Sequence, residues 1–354
     1  MTRVALLTSN EGTRQQFFRA GGIRFVADLL PYLKQRLDIE MYVTGPSDDL
    51  FEYHGVPVHI VSSRRIPFTD KRFLPPLNLD ADAVLFLDYV AALSPNSARV
   101  NAVVFHHLSR SFHDEAPALY RRYFGIVGQL YLRAEYLLLA RVRRKARLAL
   151  AVSDVTVPYL EKLGFSAAVV GNGIDTTRYR PREKEDYAVA IGRLVNYKRF
   201  ERALELSKRT GIPLKVIGTG PLERYLRRIA PRSVEFLGYL EEDEKIDVLS
   251  RAKYLFAFSA FEGFDLPVIE AMATYTVPVV SDIKAHRFIF SGEPVGFLVN
   301  SVDDAVAAVR RLERDDEPYE GMAVAARELV ERKWSADVVA QRYLDVLCPL
   351  LSCG

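Results

Sequence analysis

Short apolar runs alternate with segments of helical period along the whole chain. In the first half VALLTS (4–9), IEMYVTG (39–45), VPVHIVS (56–62), AVLFLD (83–88), NAVVFHH (101–107) and LALAVS (148–153) read as strands. Between the first two, IRFVADLLPYLKQRL puts Ile23, Val26, Ala27, Leu30, Leu33 and Leu37 on one helical face. The second half repeats the alternation with AVAIG (188–192), LKVIG (214–218), VEFLGY (234–239), YLFAFS (254–259), VPVVS (277–281) and GFLVN (296–300). Its intervening helices include FERALELSKRTG, closed by Gly211, and PLERYLRRIA, opened by Pro221. Apolar strands separated by helices imply parallel sheets covered on both faces.

Two such runs predict an α/β protein of two doubly wound, Rossmann-like domains. The expected division is 1–171, then 172–334, with the polar stretch NGIDTTRYRPREKEDY (172–187) at the junction. A final amphipathic helix over 335–354 is expected to return onto the first domain. A length of 354 residues fits two cores better than one.

Composition narrows the class without choosing a reaction. Hydrophobic residues form 49% and charged residues 26%, as in globular proteins, and a net charge of +3 does not by itself point to nucleic acid. The two cysteines, Cys348 and Cys353, are too close to the end for a disulfide framework and too few for a zinc site. The N-terminal run reads as a strand and not a signal peptide, and YLLLARV (136–142) is about a third of a membrane span. A cytoplasmic protein, at most peripheral to a membrane, is expected. Abundant arginine with scarce Asn, Gln, Met and Cys points to a hot habitat.

Ligands of open α/β sheets bind beyond the carboxyl ends of the strands, and unusual polar clusters fall there. SAFEGFDLPVIEAMA (259–273) follows a strand and starts a helix, with Glu262 in the loop and Glu270 in the helix. Free N–H groups at that helix start suit a phosphate or sugar oxygens, and Glu270 suits a pair of vicinal hydroxyls. GRLVNYKRF (192–200) places Arg193 and Lys198 five residues apart across a loop, where both can converge on a diphosphate. GTGP (218–221) is a further glycine-rich turn. His106, His107, His113 and Asp114 are discounted as metal ligands, because neighbouring strand residues point to opposite faces. Over 119–147, eight basic residues and five aromatic ones accompany one acid, Glu135. That composition suits contact with anionic lipid as well as it suits a solvated helix pair.

In order and spacing, AVSD (151–154), NGID (172–175), GRL with Lys198, GTGP, FLGYL (236–240) and EGFDLPVIEAMA (262–273) resemble the retaining glycosyltransferases of family 4. The resemblance covers most of the chain and is densest over 148–282. It implies the GT-B fold, two Rossmann-like domains facing a cleft. It also implies transfer of a hexose-type sugar from a UDP- or GDP-linked donor to a hydroxyl of a glycan, lipid-linked or small-molecule acceptor. Retention of configuration, no metal and no cofactor follow from the same resemblance.

Carried over, it assigns Glu270 to the ribose and Arg193 and Lys198 to the diphosphate, with Gly192, Gly218 and Gly220 in the donor loops. Glu262 and the backbone of Phe264, Asp265 and Leu266 fall around the sugar. Gly21 and Gly22 fall near the donor phosphates and His106 near the reacting face. Two departures stand out: Asp265 replaces the family's usual glycine, and TYTVPVV follows EAMA where a small residue, glycine and proline are usual. A GT-B nucleotide-sugar epimerase and a non-catalytic nucleotide-sugar-binding subunit are the competing readings.

Overall fold

A computed structural model describes residues 1–13, 21–66, 71–125, 127–314 and 316–351. The chain forms two compact units. The first comprises Met1–Ser111, Ile126–Ile174 and Ala336–Gly354, and the second Phe112–Gly125 and Asp175–Ser335.

The first unit contains β1 (Thr2–Glu11), β2 (Leu37–Gly45), β3 (Asp49–Tyr53), β4 (Val56–Ser62), β5 (Ala83–Phe86), β6 (Val100–Phe105), β7 (Leu148–Ala151) and β8 (Ser166–Val169). They form one sheet in the order β3-β4-β2-β1-β5-β6-β7-β8. All pairings are parallel except that of the edge strand β3 with β4. Its central strands are buried on both faces, and Leu7, Phe86, Val103 and Phe105 are core residues. Continuous apolar runs therefore mark them better than alternation does.

The expected 23–37 helix is two helices, Gly21–Ala27 and Leu30–Leu33. Pro31 has no N–H for a continuous ladder but fits the first turn of the second piece. Ile23, Val26, Ala27, Leu30 and Leu33 are all buried, whereas Leu37 already belongs to β2. The C-terminal helix Ala336–Leu351 packs in this unit against Leu30–Leu33, burying Val339, Tyr343, Leu344 and Leu347. Ala336 N–H donates to Ile174 O (2.9 Å) and Arg342 Nη1 to Val170 O (3.3 Å). Cys353 lies outside the described residues.

The second unit contains β9 (Glu185–Ile191), β10 (Leu214–Ile217), β11 (Val234–Gly238), β12 (Ala252–Ala257), β13 (Val277–Ser281) and β14 (Phe297–Val299). The all-parallel order is β11-β10-β9-β12-β13-β14, so the chain reverses its direction of winding between β9 and β12. Such a switch point opens a crevice beyond the strands' carboxyl ends. Phe200–Thr210 is the expected helix, closed by Gly211 in the left-handed region at φ 82°. The next helix, Glu223–Ile229, starts after Pro221, which lies in the preceding turn. The segment 112–125 joins this unit through aromatic packing: Phe112 stacks on Phe261 (5.1 Å between centroids) and meets Tyr197 edge-on (5.8 Å).

Candidate active site

The loops that follow β9 and β12 stand on either side of the switch point of the second sheet. Residues 192–199 leave β9 and include a short turn, Asn196–Lys198. Residues 258–265 leave β12 and enter the helix Leu266–Ala273, whose first turn contains Pro267. Ala260 N–H donates to Tyr197 O (2.7 Å) and pins one loop to the other.

This pinning brings Lys198 against two acids. Its Nζ lies 2.7 Å from Glu262 Oε1 and 3.2 Å from Asp265 Oδ1. Asp265 Oδ2 in turn faces His286 Nε2 at 3.1 Å, and His286 Nδ1 faces Ser281 O at 2.7 Å. Both ring nitrogens thus meet oxygen atoms. Asp265 is only 2% exposed and His286 is fully buried. A carboxylate stripped of water needs such partners.

The electrostatics follow from burial and pairing in competition. Burial works to raise the Asp265 carboxyl, yet Lys198 and His286 outweigh it and hold the group at about 2. Burial wins for Glu262, whose carboxyl is raised by desolvation and by the Asp265 charge despite Lys198. Burial disfavours the Lys198 ammonium, but Asp265 and then Glu262 more than offset it and keep Lys198 charged. Asp265 occupies the N-cap position without capping, since its carboxylate is turned to Lys198 and His286 instead. The first N–H groups of that helix have no acceptor within the helical ladder.

Glu270 lies one helical turn deeper, is 1% exposed and receives Lys245 Nζ at 2.7 Å. Lys245 also lies 3.3 Å from Glu242. Arg193 is exposed and has no side-chain hydrogen bond or ion pair among the described residues. It is thus a cation available to an incoming anion, beside a second that is already engaged. Phe264 packs edge-on against Trp334 (5.4 Å), and Leu266 opens the helix.

Gly192 opens the β9 loop and lies against the Lys198 side chain. Gly218 and Gly220 have a local explanation in close packing. A Cβ on Gly218, at φ 127°, stands 2.1 Å from Gly192 O, and one on Gly220 stands 2.6 Å from Leu194 O. Only glycine lets these two loops lie back to back, with Leu194 N–H donating to Thr219 O (2.9 Å).

In the first unit, Gly21 and Gly22 are helical residues, in Gly21–Ala27. His106 follows β6 and packs edge-on against Phe25 (4.3 Å). Burial above all, with His107 and Lys71 adding to it, pushes His106 down to about 4 and keeps its ring neutral.

The motifs passed over several residues. His286 completes the Asp265 network and Lys245 holds Glu270; each is one of several polar residues in its helix, and the departure at Asp265 was the one signal that a partner was needed. Asp88 was read only as a strand end. It accepts from Thr8 Oγ1 (2.8 Å), Ser9 N–H (2.9 Å), Ser9 Oγ (2.6 Å) and Ala91 N–H (2.9 Å).

Comparison with known proteins adds a family match over most of the second unit. Residues 175–329 match the family described as Glycosyl transferases group 1. The matched segment contains every residue of the Lys198 and Glu270 networks.

A GDP-mannose-dependent alpha-mannosyltransferase of Corynebacterium glutamicum is 27% identical over 226 residues, 58% of this chain and 54% of its own length. A phosphatidyl-myo-inositol mannosyltransferase of Mycolicibacterium smegmatis is 26% identical over 207 residues, 52% of this chain and 53% of its own. The chain thus spans about half the length of the curated relatives it matches.

Among solved structures, sucrose-phosphate synthase of Thermosynechococcus elongatus matches all of both chains at a TM-score of 0.76 and 14% identity. Anabaena HepE, solved with UDP-glucose, matches 98% of this chain and 99% of its own at 0.73 and 16%. These likenesses establish the GT-B fold for the chain.

Proposed function

We propose that the protein is a retaining, metal-independent glycosyltransferase that takes a hexose-type sugar from a UDP- or GDP-linked donor. The acceptor is a hydroxyl of a glycan, a lipid-linked sugar or a small molecule. One observation carries the reading: Lys198 and Arg193 stand on the β9 loop at the switch point, opposite the Glu262–Asp265 loop and a helix N-terminus. Fixed cations there stabilise the charge that grows on the departing diphosphate.

In this reading Arg193 meets the diphosphate first. Lys198 then exchanges part of its pairing with Glu262 and Asp265 for phosphate oxygens. Glu262, Asp265 and the N–H groups of Phe264 to Leu266 line the sugar, and Glu270, fixed by Lys245, accepts from the ribose hydroxyls. The C1–oxygen bond to the phosphate breaks, the acceptor oxygen bonds to C1, and its proton passes to the leaving phosphate. The bound UDP-glucose of HepE and the GDP-mannose in the name of the Corynebacterium relative support a nucleotide sugar as donor.

Turnover of UDP- and GDP-sugars, followed by release of the nucleoside diphosphate in the presence of EDTA, tests this. Arg193→Ala and Lys198→Ala are each expected to lower the rate about 10²–10³-fold, as loss of a transition-state charge contact does. Near-normal rates in both variants overturn the assignment. Nucleotide binding with no turnover towards any acceptor supports a binding subunit instead.

A further inference from the structure

The helix Val127–Lys145 in the first unit has two faces of unexpected kind. One buries Gly128, Glu135, Leu139 and Val142 in the core. The opposite face exposes Val127 (66%), Leu130 (63%), Tyr131, Leu137 (69%) and Leu138. With the exposed Ala134 between them, these positions recur at three and four residues, so they form one continuous apolar stripe pointing away from the core. A stripe of large apolar residues left in water marks a contact surface.

Charge on the same face identifies the partner. The stripe runs into Arg141 and Arg144, and Arg133 flanks it. Glu135, the helix's only acid, is buried and accepts from Ser109 N–H (3.0 Å) and Ser109 Oγ (2.9 Å), so the exposed face carries cations alone. At its C-terminal end Arg141, Arg144 and Lys145 line an open cavity of about 680 Å³ with Ser94, Pro95 and Ser97. Lys145 is already occupied, donating to Ala92 O (3.3 Å) and to Ser94 O. Arg141 and Arg144 have no acidic partner among the described residues.

We infer that this face docks on an anionic phospholipid bilayer. Leu130, Leu137 and Leu138 enter the acyl boundary, and Arg141 and Arg144 take headgroup phosphates in the cavity beside them. Apolar and basic residues on one helix face suit the interface of an anionic leaflet, where the long arginine side chains reach the phosphates. A second copy of the helix fits less well, because it brings the same cations and no exposed acid to neutralise them.

The test is sedimentation of the full chain with vesicles of phosphatidylcholine alone and of phosphatidylcholine with one third phosphatidylglycerol. Binding to the anionic vesicles only is expected. Arg141→Ala/Arg144→Ala should weaken it about 25-fold, from about fivefold per cation near an anionic surface. Leu130→Ser/Leu137→Ser/Leu138→Ser should abolish it with an unchanged thermal melt. No sedimentation of the wild type, or equal sedimentation of the variants, overturns the inference. So does a wild-type dimer that the leucine variant dissociates and that ignores vesicles. Nucleotide binding in the same samples reports on the proposed function separately.

Discussion

Lys198 has two buried carboxyl neighbours, and its removal leaves Glu262 without its cation and Asp265 with His286 alone. Breaking a buried pair from one side costs about 3–5 kcal/mol. Lys198→Met should therefore lower the unfolding free energy by about that much in urea, and Glu262→Gln in the same chain should restore part of it. Additive losses would show that Lys198 and Glu262 are not coupled. His106 gives the pH-dependent case. Its folded value, about 4, lies below the ordinary 6.5 of the unfolded ring, so between these pH values the unfolded chain binds the extra proton. Stability should fall as pH drops through that window, and His106→Gln should flatten the fall. An identical pH profile in wild type and variant would contradict a ring held neutral by the fold.

At the scale of elements, Lys184 shows how the sheet is held at the end away from the site. It lies just before β9 and donates to Ser250 O (3.0 Å), Ala252 O (2.9 Å), Thr274 O (2.7 Å) and Thr276 Oγ1 (3.0 Å). It thereby ties the starts of β9, β12 and β13. Lys184→Met leaves three carbonyls without this donor and should cost about 3 kcal/mol, since each unsatisfied buried group costs about 1–3 kcal/mol. Because these strand starts lie opposite the site, nucleotide binding should survive in the folded variant. Loss of binding without loss of stability would contradict that separation.

The same elements show what the sequence pattern carries. VPVHIVS and VPVVS give β4 and β13 to the residue: β13 is a fully buried apolar run ended by a polar turn, and β4 alternates buried positions with more exposed ones. Strands β3 and β8 escape it. DLFEY alternates on an exposed edge, and SAAV has little apolar bulk. The aromatic residues of 112–125 belong to the second unit, and nothing local distinguishes which core an aromatic side chain fills. The loops holding Glu262 and Lys198 were legible from motif order. The partners His286 and Lys245 were not, because pairing across 21 and 25 residues depends on topology.

For the whole molecule, one winding order occurs twice. Without the edge hairpin strand β3, the first sheet runs β4-β2-β1-β5-β6-β7-β8, so each sheet reverses once, at β1/β5 and at β9/β12. Each switch point collects buried polar residues: Asp88 with Thr8 and Ser9 in one unit, Asp265 with Lys198 and His286 in the other. Only the second lies in the segment that matches the group 1 family. The donor site is therefore proposed for the second unit, the one that carries the family match.

The most direct measurement is calorimetric titration of UDP, GDP and ADP, with EDTA present, into the wild type and into Arg193→Ala. One nucleotide is expected to bind, with about tenfold weaker binding in the variant, the loss of roughly one charge-assisted contact of about 1.4 kcal/mol. Binding of none of the three, or binding that Arg193→Ala leaves unchanged, would contradict a donor diphosphate held at the β9 loop.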